Sequence, residues 1–182
     1  MRKYFKYLNY IPGLLKMSLI KLLHFKQLKF SYKSYYPLSL KIVFKSKKSK
    51  VTIGRGFNAR ENVIFRVNGD LKIGSYVFFN ANTRVECEKQ IHIGNDVIFG
   101  PGVYIYDHDH TVIKGRKHKS NDLISDPVLI GNNVWIGTGT IILRKANIGD
   151  NSVVAAGSVL RQSIPSDVVF YQKRENRQKE IL

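Results

Sequence analysis

The sequence has little cysteine, no long apolar run and, over its first quarter, no acidic residue. Cys87 is the only cysteine among 182 residues, which excludes an internal disulfide framework and a zinc site built from several cysteines. The uncharged runs are far shorter than a bilayer span, so no transmembrane helix is predicted. No small-residue cleavage site follows the apolar N-terminal stretch, so a secretory signal is not expected. The length suits one domain with its own core.

Positive charge is concentrated at the N-terminus. The formal net charge is +17, and residues 1–50 carry thirteen Lys and Arg side chains before the first acidic residue, Glu61. Such a block indicates an anionic partner or a solvated lysine-rich face. No fold typical of nucleic-acid binding accompanies the charge, so nucleic acid is not expected as the partner.

Residues 11–30 place leucines at three-to-four spacing with lysines between them, which predicts a basic amphipathic segment. Two interpretations stay open. The segment lies on an anionic membrane surface, or it caps the end of a repeat domain. On the cap interpretation, we expect four leucines to be buried: Leu15, Leu19, Leu22 and Leu23.

From residue 51 onward the sequence is repetitive. Ile-Gly pairs recur at 53–54, 73–74 and 93–94, a period of twenty residues. The period then shortens to six, with an aliphatic residue at each step: Ile130, Ile136, Ile142, Ile148, Val154 and Leu160. This period fits neither an amphipathic helix nor an alternating strand. It is the signature of a parallel β-helix, in which short strands and tight corners stack aliphatic side chains in a column.

The predicted organisation therefore has three parts. Residues 1–50 form the basic N-terminal segment, residues 51–165 form a mainly β solenoid, and residues 166–182 form a polar tail or short helix. The repeat is interrupted between Ile105 and Ile130, so residues 107–127 are an excursion from the coils. Insertions in a solenoid lie as loops on one face, often the binding face.

The stretches 128-VLIGNNVWIGTGTIILRKANIGDNSVVAAGSVLRQSIP-165 and PGVYIYDHDH resemble the hexapeptide-repeat acyltransferases, most closely the galactoside, maltose and capsule-sugar O-acetyltransferases. The resemblance covers about residues 51–165. It implies a left-handed β-helix, acetyl-CoA as the acyl donor, a sugar or glycan hydroxyl as the acceptor, and a homotrimer with sites between subunits.

The excursion opens with four polar side chains: Asp107, His108, Asp109 and His110. In the resembling enzymes a histidine nine residues after a proline removes the acceptor's proton, and Pro101 places His110 there. An imidazole that titrates near neutrality suits this role. Either aspartate could hold its tautomer, and alternation does not say which. Asp107, His108 and Asp109 are also candidates, with Asn80, for contact with the acceptor. His108 contacts sugar or packs the loop. No further His or Cys cluster accompanies the pair, so a metal is not expected.

Asn80 stands thirty residues before His110, where the resemblance implies a contact to the acceptor sugar. Its alternative role is to form a coil corner. The residues that the resemblance assigns to acetyl-CoA are Trp135 on the CoA-facing edge, Gly137, Ala156 and Gly157 beside the pantetheine arm, Thr138 facing the thioester carbonyl, and Arg161 near the phosphates.

The sequence departs from the resembling enzymes at the end of the solenoid. Gln162 stands where they usually carry Lys, and their Gly-x-Pro-Ala-like turn is missing after residue 165. Other cations would therefore have to bind the adenine end of CoA, and Lys173 and Arg174 are the candidates.

The function expected from these features is O-acetylation of a sugar in capsule, exopolysaccharide or lipopolysaccharide biosynthesis, in the bacterial cytoplasm or at the inner membrane face. One alternative is an N-acetyltransferase of amino-sugar nucleotides, although the Gly-rich nucleotide-binding domain typical of that class is missing. The other is a non-catalytic β-helix binding module.

Overall fold

The computed structural model describes residues 10–112, 114–117, 119 and 122–173. Helix α1 spans Tyr10–Leu23, and the short strands that follow, numbered in chain order, form the three faces of a triangular solenoid. Face A contains β1 Leu28–Phe30, β3 Lys50–Ile53, β6 Asp70–Ile73, β9 Gln90–Ile93, β14 Val128–Ile130, β17 Asn147–Ile148 and β20 Ser163–Ile164. Face B contains β4 Asn58–Ala59, β7 Phe78–Phe79, β10 Ile98–Phe99, β15 Trp135–Ile136, β18 Val153–Val154 and β21 Val169–Phe170.

Face C contains β2 Lys41–Phe44, β5 Ile64–Val67, β8 Arg84–Cys87, β11 Tyr104–Tyr106, β16 Ile141–Ile142 and β19 Val159–Leu160. Two further strands, β12 His108–His110 and β13 Leu123–Ser125, pair antiparallel with each other outside the three faces. The chain visits the faces in the order A, B, C. We call the turns between them the A–B, B–C and C–A corners.

Parallel pairing between successive coils confirms the predicted β-helix. Ile53 pairs with Ile73, and Ile73 with Ile93, which is the twenty-residue period. Ile93 then pairs with Ile130 across the excursion, and the six-residue period continues face by face to the end of the solenoid. The register therefore stacks each inward aliphatic on its equivalent in the neighbouring coil.

The core differs between the two ends of the solenoid. Near its C-terminal end the inward side chains are the predicted aliphatics, among them Ile136, Val154 and Leu160. In the coils with the longer period, phenylalanines share the interior. The ring of Phe79 lies 5.8 Å from that of Phe57 and 4.5 Å from that of Phe99. The predicted continuous aliphatic column is therefore interrupted by aromatic rings in the coils with the longer period.

The corners explain the small polar residues of the repeat. Asn62 and Asn82 adopt φ values of 58° and 59°, in the left-handed region that Asn and Gly reach at least cost. At the A–B corner the coils approach so closely that a Cβ on Gly74 would lie 2.4 Å from the carbonyl oxygen of Gly94. Only glycine fits there, which accounts for the Ile-Gly pairs.

The solenoid is longer than the predicted 51–165. It begins at β1 and β2, which pair parallel with β3 and β5. This first coil has inward apolar side chains but no Ile-Gly pair, so the sequence repeat does not extend to it. At the other end β21 pairs with β18, which places residues 169–170 in the solenoid. Of the predicted tail, residues 174–182 lie outside the described residues.

Helix α1 packs across the open end of the first coil. Met17 is fully buried against it, and a Cβ on Gly13 would clash with the Tyr36 carbonyl oxygen. The Lys16 ammonium donates to the carbonyl oxygens of Leu38 and Leu40 at 2.6 and 2.7 Å. The helix therefore caps the solenoid. The expectation that a cap buries its leucines is wrong, because Leu15, Leu19, Leu22 and Leu23 face outward and are exposed.

Candidate active site

The excursion leaves the solenoid as a hairpin at the C–A corner. Asp107 follows β11, β12 and β13 form the hairpin, and β14 returns to face A. The backbone N–H of Asp126 donates to the Asp107 carbonyl at 2.9 Å and closes the base of the hairpin. His108 and His110 are therefore held in a paired strand.

Asp107 occupies an inward position of the core, in register with Cys87 one coil earlier, and is fully buried. Its carboxylate accepts three backbone N–H bonds of 2.7 Å, from Glu88, Lys89 and Gln90. These donors form the turn of the preceding coil, so the carboxylate ties the root of the hairpin to that coil. Its burial and its saturated oxygens exclude the contact to substrate that the sequence analysis predicted for Asp107.

Cys87 lies beside this carboxylate and is buried. Burial, and then the negative charge of Asp107, raise the pKa of the Cys87 thiol. Since the thiolate is the reactive form of cysteine, Cys87 is a packing residue.

The imidazole of His108 pairs with Asp107. Its Nδ1 lies 3.1 Å from Oδ1 of the carboxylate, and 14% of the side chain is exposed. The hydrogen bond to Asp107 raises the pKa of His108, and partial burial opposes the shift. Asp107 therefore orients His108. An orienting carboxylate was predicted for His110, whereas Asp107 contacts His108.

His110 lies at the outer end of β12, is exposed, and pairs through its backbone with Leu123. Among the residues that the structure describes, none forms a hydrogen bond or ion pair with its ring. The expectation that Asp107 or Asp109 holds the His110 tautomer is not met within this chain. An exposed ring without a competing partner is accessible to an acceptor.

Asp109 is held by Arg144. The guanidinium Nε donates to Asp109 Oδ2 at 2.5 Å, and Nη1 donates to Asp126 Oδ2 at 2.7 Å. Asp109 belongs to β12, and Asp126 follows β13, so one arginine joins both strands of the hairpin to the solenoid. Asp109 is thus a structural anchor, and its predicted contact with substrate is not supported by this geometry.

Arg144 and Asp126 are not among the residues predicted from the sequence. A signal was available, because acidic residues stand at both ends of the excursion and an arginine follows the next hexad on face C. Asp109, Arg144 and Arg161 also line a small cleft of about 110 Å³ at the C–A corner. Arg161 is therefore a neighbour of the hairpin.

The other candidates gather at the B–C corner. Asn80 is half-buried there, and its side-chain oxygen accepts the N–H of Ala81 at 2.9 Å, as its predicted alternative role in the corner requires. Thr138 and Ala156 lie at the equivalent corners of later coils and are exposed, and the Thr138 carbonyl accepts the Gly157 N–H at 2.7 Å. Gly137 packs directly beneath Ala156: a Cβ on it would lie 2.4 Å from the Ala156 nitrogen.

Trp135 is the first residue of β15 on face B, two positions before Gly137 at this corner. Its side chain points outward, with 56% of the residue exposed. It pairs with Ile98 below and Val153 above, so the outer surface there is apolar. Lys173 is exposed at the end of the described chain, and Arg174 lies outside the described residues. Within the described residues, no three His, Cys, Asp or Glu side chains are grouped to hold a metal.

The predicted site residues thus form two groups on one prism. The hairpin group at the C–A corner contains Asp107, His108, Asp109, His110 and Arg161. The corner group at the B–C corner contains Asn80, Gly137, Thr138, Ala156 and Gly157, with Trp135 beside it. The two corners are separated by the width of face C, whose strands β8, β11 and β16 have four, three and two residues and are about 7–13 Å long.

Comparisons with known proteins agree with the fold. The family model described as bacterial transferase hexapeptide (six repeats) matches residues 127–162. The Saccharomyces cerevisiae protein named "Putative acetyltransferase YJL218W" is 34% identical over 88% of this chain and 80% of its own length. The chain belongs to the hexapeptide-repeat acyltransferases. The left-handed winding that the resemblance implied accompanies this family, whereas periodicity alone could not supply it.

A further curated relative and one solved structure are similar to this hexapeptide-repeat acyltransferase. Galactoside O-acetyltransferase of Escherichia coli is 34% identical over 65% of this chain, which spans 58% of the length of that relative. AntD, an N-acyltransferase from Bacillus cereus solved with dTDP and coenzyme A, superposes with a TM-score of 0.69 over 90% of this chain and 89% of its own. Its sequence identity is 18%, so the likeness concerns the fold.

Proposed function

We propose that this acyltransferase moves an acetyl group from acetyl-CoA to a sugar hydroxyl, in capsule, exopolysaccharide or lipopolysaccharide biosynthesis. The observation that carries the proposal is the placement of His110 on a hairpin whose base is fixed to the solenoid by Asp107 and Arg144. A relative named galactoside O-acetyltransferase supports the sugar acceptor.

In the proposed reaction the His110 imidazole removes the proton of the acceptor hydroxyl while that oxygen attacks the thioester carbonyl. The tetrahedral intermediate carries a negative oxygen, for which the N–H or hydroxyl of Thr138 is the donor. Collapse of the intermediate forms the acetyl ester and breaks the carbon–sulfur bond. The CoA thiolate then takes the proton from the imidazolium, which returns His110 to its neutral form.

The separation of the two groups leads us to propose a shared site. A general base acts at about 3 Å from its proton, whereas the hairpin group and the corner group lie on different corners of one chain. The C–A corner of one subunit placed against the B–C corner of a second copy would bring His110 to Thr138. A cyclic trimer repeats this contact three times and closes, so it is the assembly that we propose.

The proposal is tested with labelled acetyl-CoA and two acceptor sets, the host's surface-glycan precursors and the matched amino-sugar nucleotides. We expect label on the hydroxylated acceptors, in a form released by hydroxylamine, which cleaves esters and leaves amides intact. Label that resists hydroxylamine and appears only on amino sugars would make the protein an N-acetyltransferase. No transfer to any acceptor, with acetyl-CoA still bound, would favour a binding module.

A further inference from the structure

The outer face of α1 is an apolar stripe. Five side chains between 58% and 74% exposed make it up: Ile11, Leu15, Leu19, Leu22 and Leu23. At 100° per residue they fall within an arc of about 120° on one side of the helix. The buried Gly13 and Met17 lie on the opposite side, so the helix uses one face to cap the solenoid and presents another apolar face to its surroundings.

Such a stripe is unusual on a helix that already buries one side. Single exposed leucines are common, but a contiguous apolar surface indicates a partner. The exposure continues beyond the helix at Phe25, and at Tyr32 and Leu38 in the first coil. Within the described residues, no helix has the length and apolar content needed to cross a bilayer.

The segment that carries the stripe is uniformly cationic. Residues 10–50 contain ten lysines and no acidic residue. Lys16 and Lys21 donate to backbone carbonyls, and Lys45 pairs with Glu88. The other seven lysines of this segment form no ion pair with any described residue: Lys26, Lys29, Lys33, Lys41, Lys47, Lys48 and Lys50.

Some of these cations share one cleft. Immediately after α1, a cleft of about 360 Å³ is lined by Lys26, Lys29, Lys50 and Lys72, with Asp70 as its one acidic side chain. Asp70 already pairs with Lys72 at 3.3 Å, which leaves three ammonium groups without a counter-ion. A cleft of this size and sign suits the phosphate of a lipid headgroup.

We infer that the outer face of α1, with the lysines around it, is a docking surface for an anionic membrane. Both requirements of an interfacial helix are met, namely an exposed apolar face and a basic border. A protein partner that matched only the leucines would leave the seven unpaired cations unexplained, and charge complementarity therefore selects the anionic bilayer. The inference concerns a surface apart from the proposed active site, so its test requires no catalytic activity.

The test is flotation of the full-length protein with vesicles of phosphatidylcholine, with and without one quarter phosphatidylglycerol. We expect binding to the anionic vesicles, weaker binding to the neutral ones, and a decline with added salt. The double variant Leu15→Gln with Leu22→Gln should lower partitioning at least about tenfold, because two leucines leave the interface. Val169→Gln, at an equally exposed apolar position on the last strand of face B, is the matched control and should bind like the wild type.

A second pair of variants examines the charge. Lys26→Gln with Lys29→Gln should weaken binding to anionic vesicles and reduce its salt dependence, whereas Lys114→Gln with Lys117→Gln in the excursion should have little effect. Absence of vesicle binding by the wild type overturns the inference. So does binding that the leucine variant leaves unchanged. Sedimentation velocity measures self-association of the wild type and of the leucine variant. Self-association that requires the leucines, without vesicle binding, would assign the face to a second copy of the chain and overturn the membrane proposal.

Discussion

The buried carboxylate of Asp107 offers a direct measurement of what holds the hairpin in place. Asp107→Asn preserves shape but replaces one accepting oxygen by an NH₂ donor. Each oxygen now accepts at least one backbone N–H, and Oδ2 accepts two. Either orientation of the amide therefore sets donor against donor. Hydrogen bonds to a charged group contribute about 1.5–3 kcal/mol each, so loss of one or two should lower the free energy of unfolding by about 2–5 kcal/mol.

The assay is equilibrium denaturation by urea at neutral pH, followed by circular dichroism. The matched control is Asp96→Asn, an exposed aspartate at a positive-φ corner where Asn is equally tolerated. It should change stability by less than about 0.5 kcal/mol. If Asp107→Asn is as stable as the control, the carboxylate does not anchor the hairpin and the account of the C–A corner is wrong.

Four further predictions concern catalysis and pH. His110→Ala should lower kcat by about 10²–10⁴-fold with little change in acetyl-CoA affinity, as expected for a general base. If this variant keeps near-normal turnover and His108→Ala is inactive, His108 is the general base instead. Asp107 raises the pKa of His108. The stabilisation from this pair should therefore be fully present below the ordinary histidine pKa of about 6.5 and should disappear as pH rises through the higher pKa of the folded state. The urea midpoints of the wild type and of His108→Gln should accordingly converge at alkaline pH. Hybrids that mix His110→Ala and Trp135→Ala subunits should regain part of the activity that either variant lacks alone, whereas inactive hybrids would argue for sites within single chains. Activity should survive exhaustive chelation, and loss with EDTA followed by recovery with zinc would establish a metal requirement.

The solenoid could be predicted from the sequence because its structure is set by local, repeated requirements. An aliphatic at every sixth position and Gly, Asn or Asp at the corners are visible without any tertiary information. The first coil could not be predicted in this way, because its inward residues, such as Leu28 and Ile42, fill the core without the Ile-Gly signature. Its place in the fold depends on pairing with β3 and β5, which no local pattern reports.

The candidate site was less accessible to sequence reasoning. Four adjacent polar residues identified the hairpin, but alternation along a strand could not show that Asp107 would turn into the core. Its position follows from the register of face C, where it continues the column that holds Cys87. The contact of Arg144 with Asp109 joins residues 35 positions apart, so it depends on the coil geometry as a whole.

The position of the hairpin along the solenoid axis determines its distance from the outer face of α1. On face C the strand that precedes His110 is the fourth from the capped end, after β2, β5 and β8. Three strand spacings of about 4.8 Å and one helix thickness of about 10 Å separate the hairpin from the outer face of α1, about 25 Å in total. With α1 on a bilayer, a hydroxyl close to the lipid headgroups could not reach His110. Under the proposed function, an acceptor anchored in the same bilayer would have to extend well into the aqueous phase, so an outer sugar of a long glycan would reach His110 and a sugar next to the anchor would not.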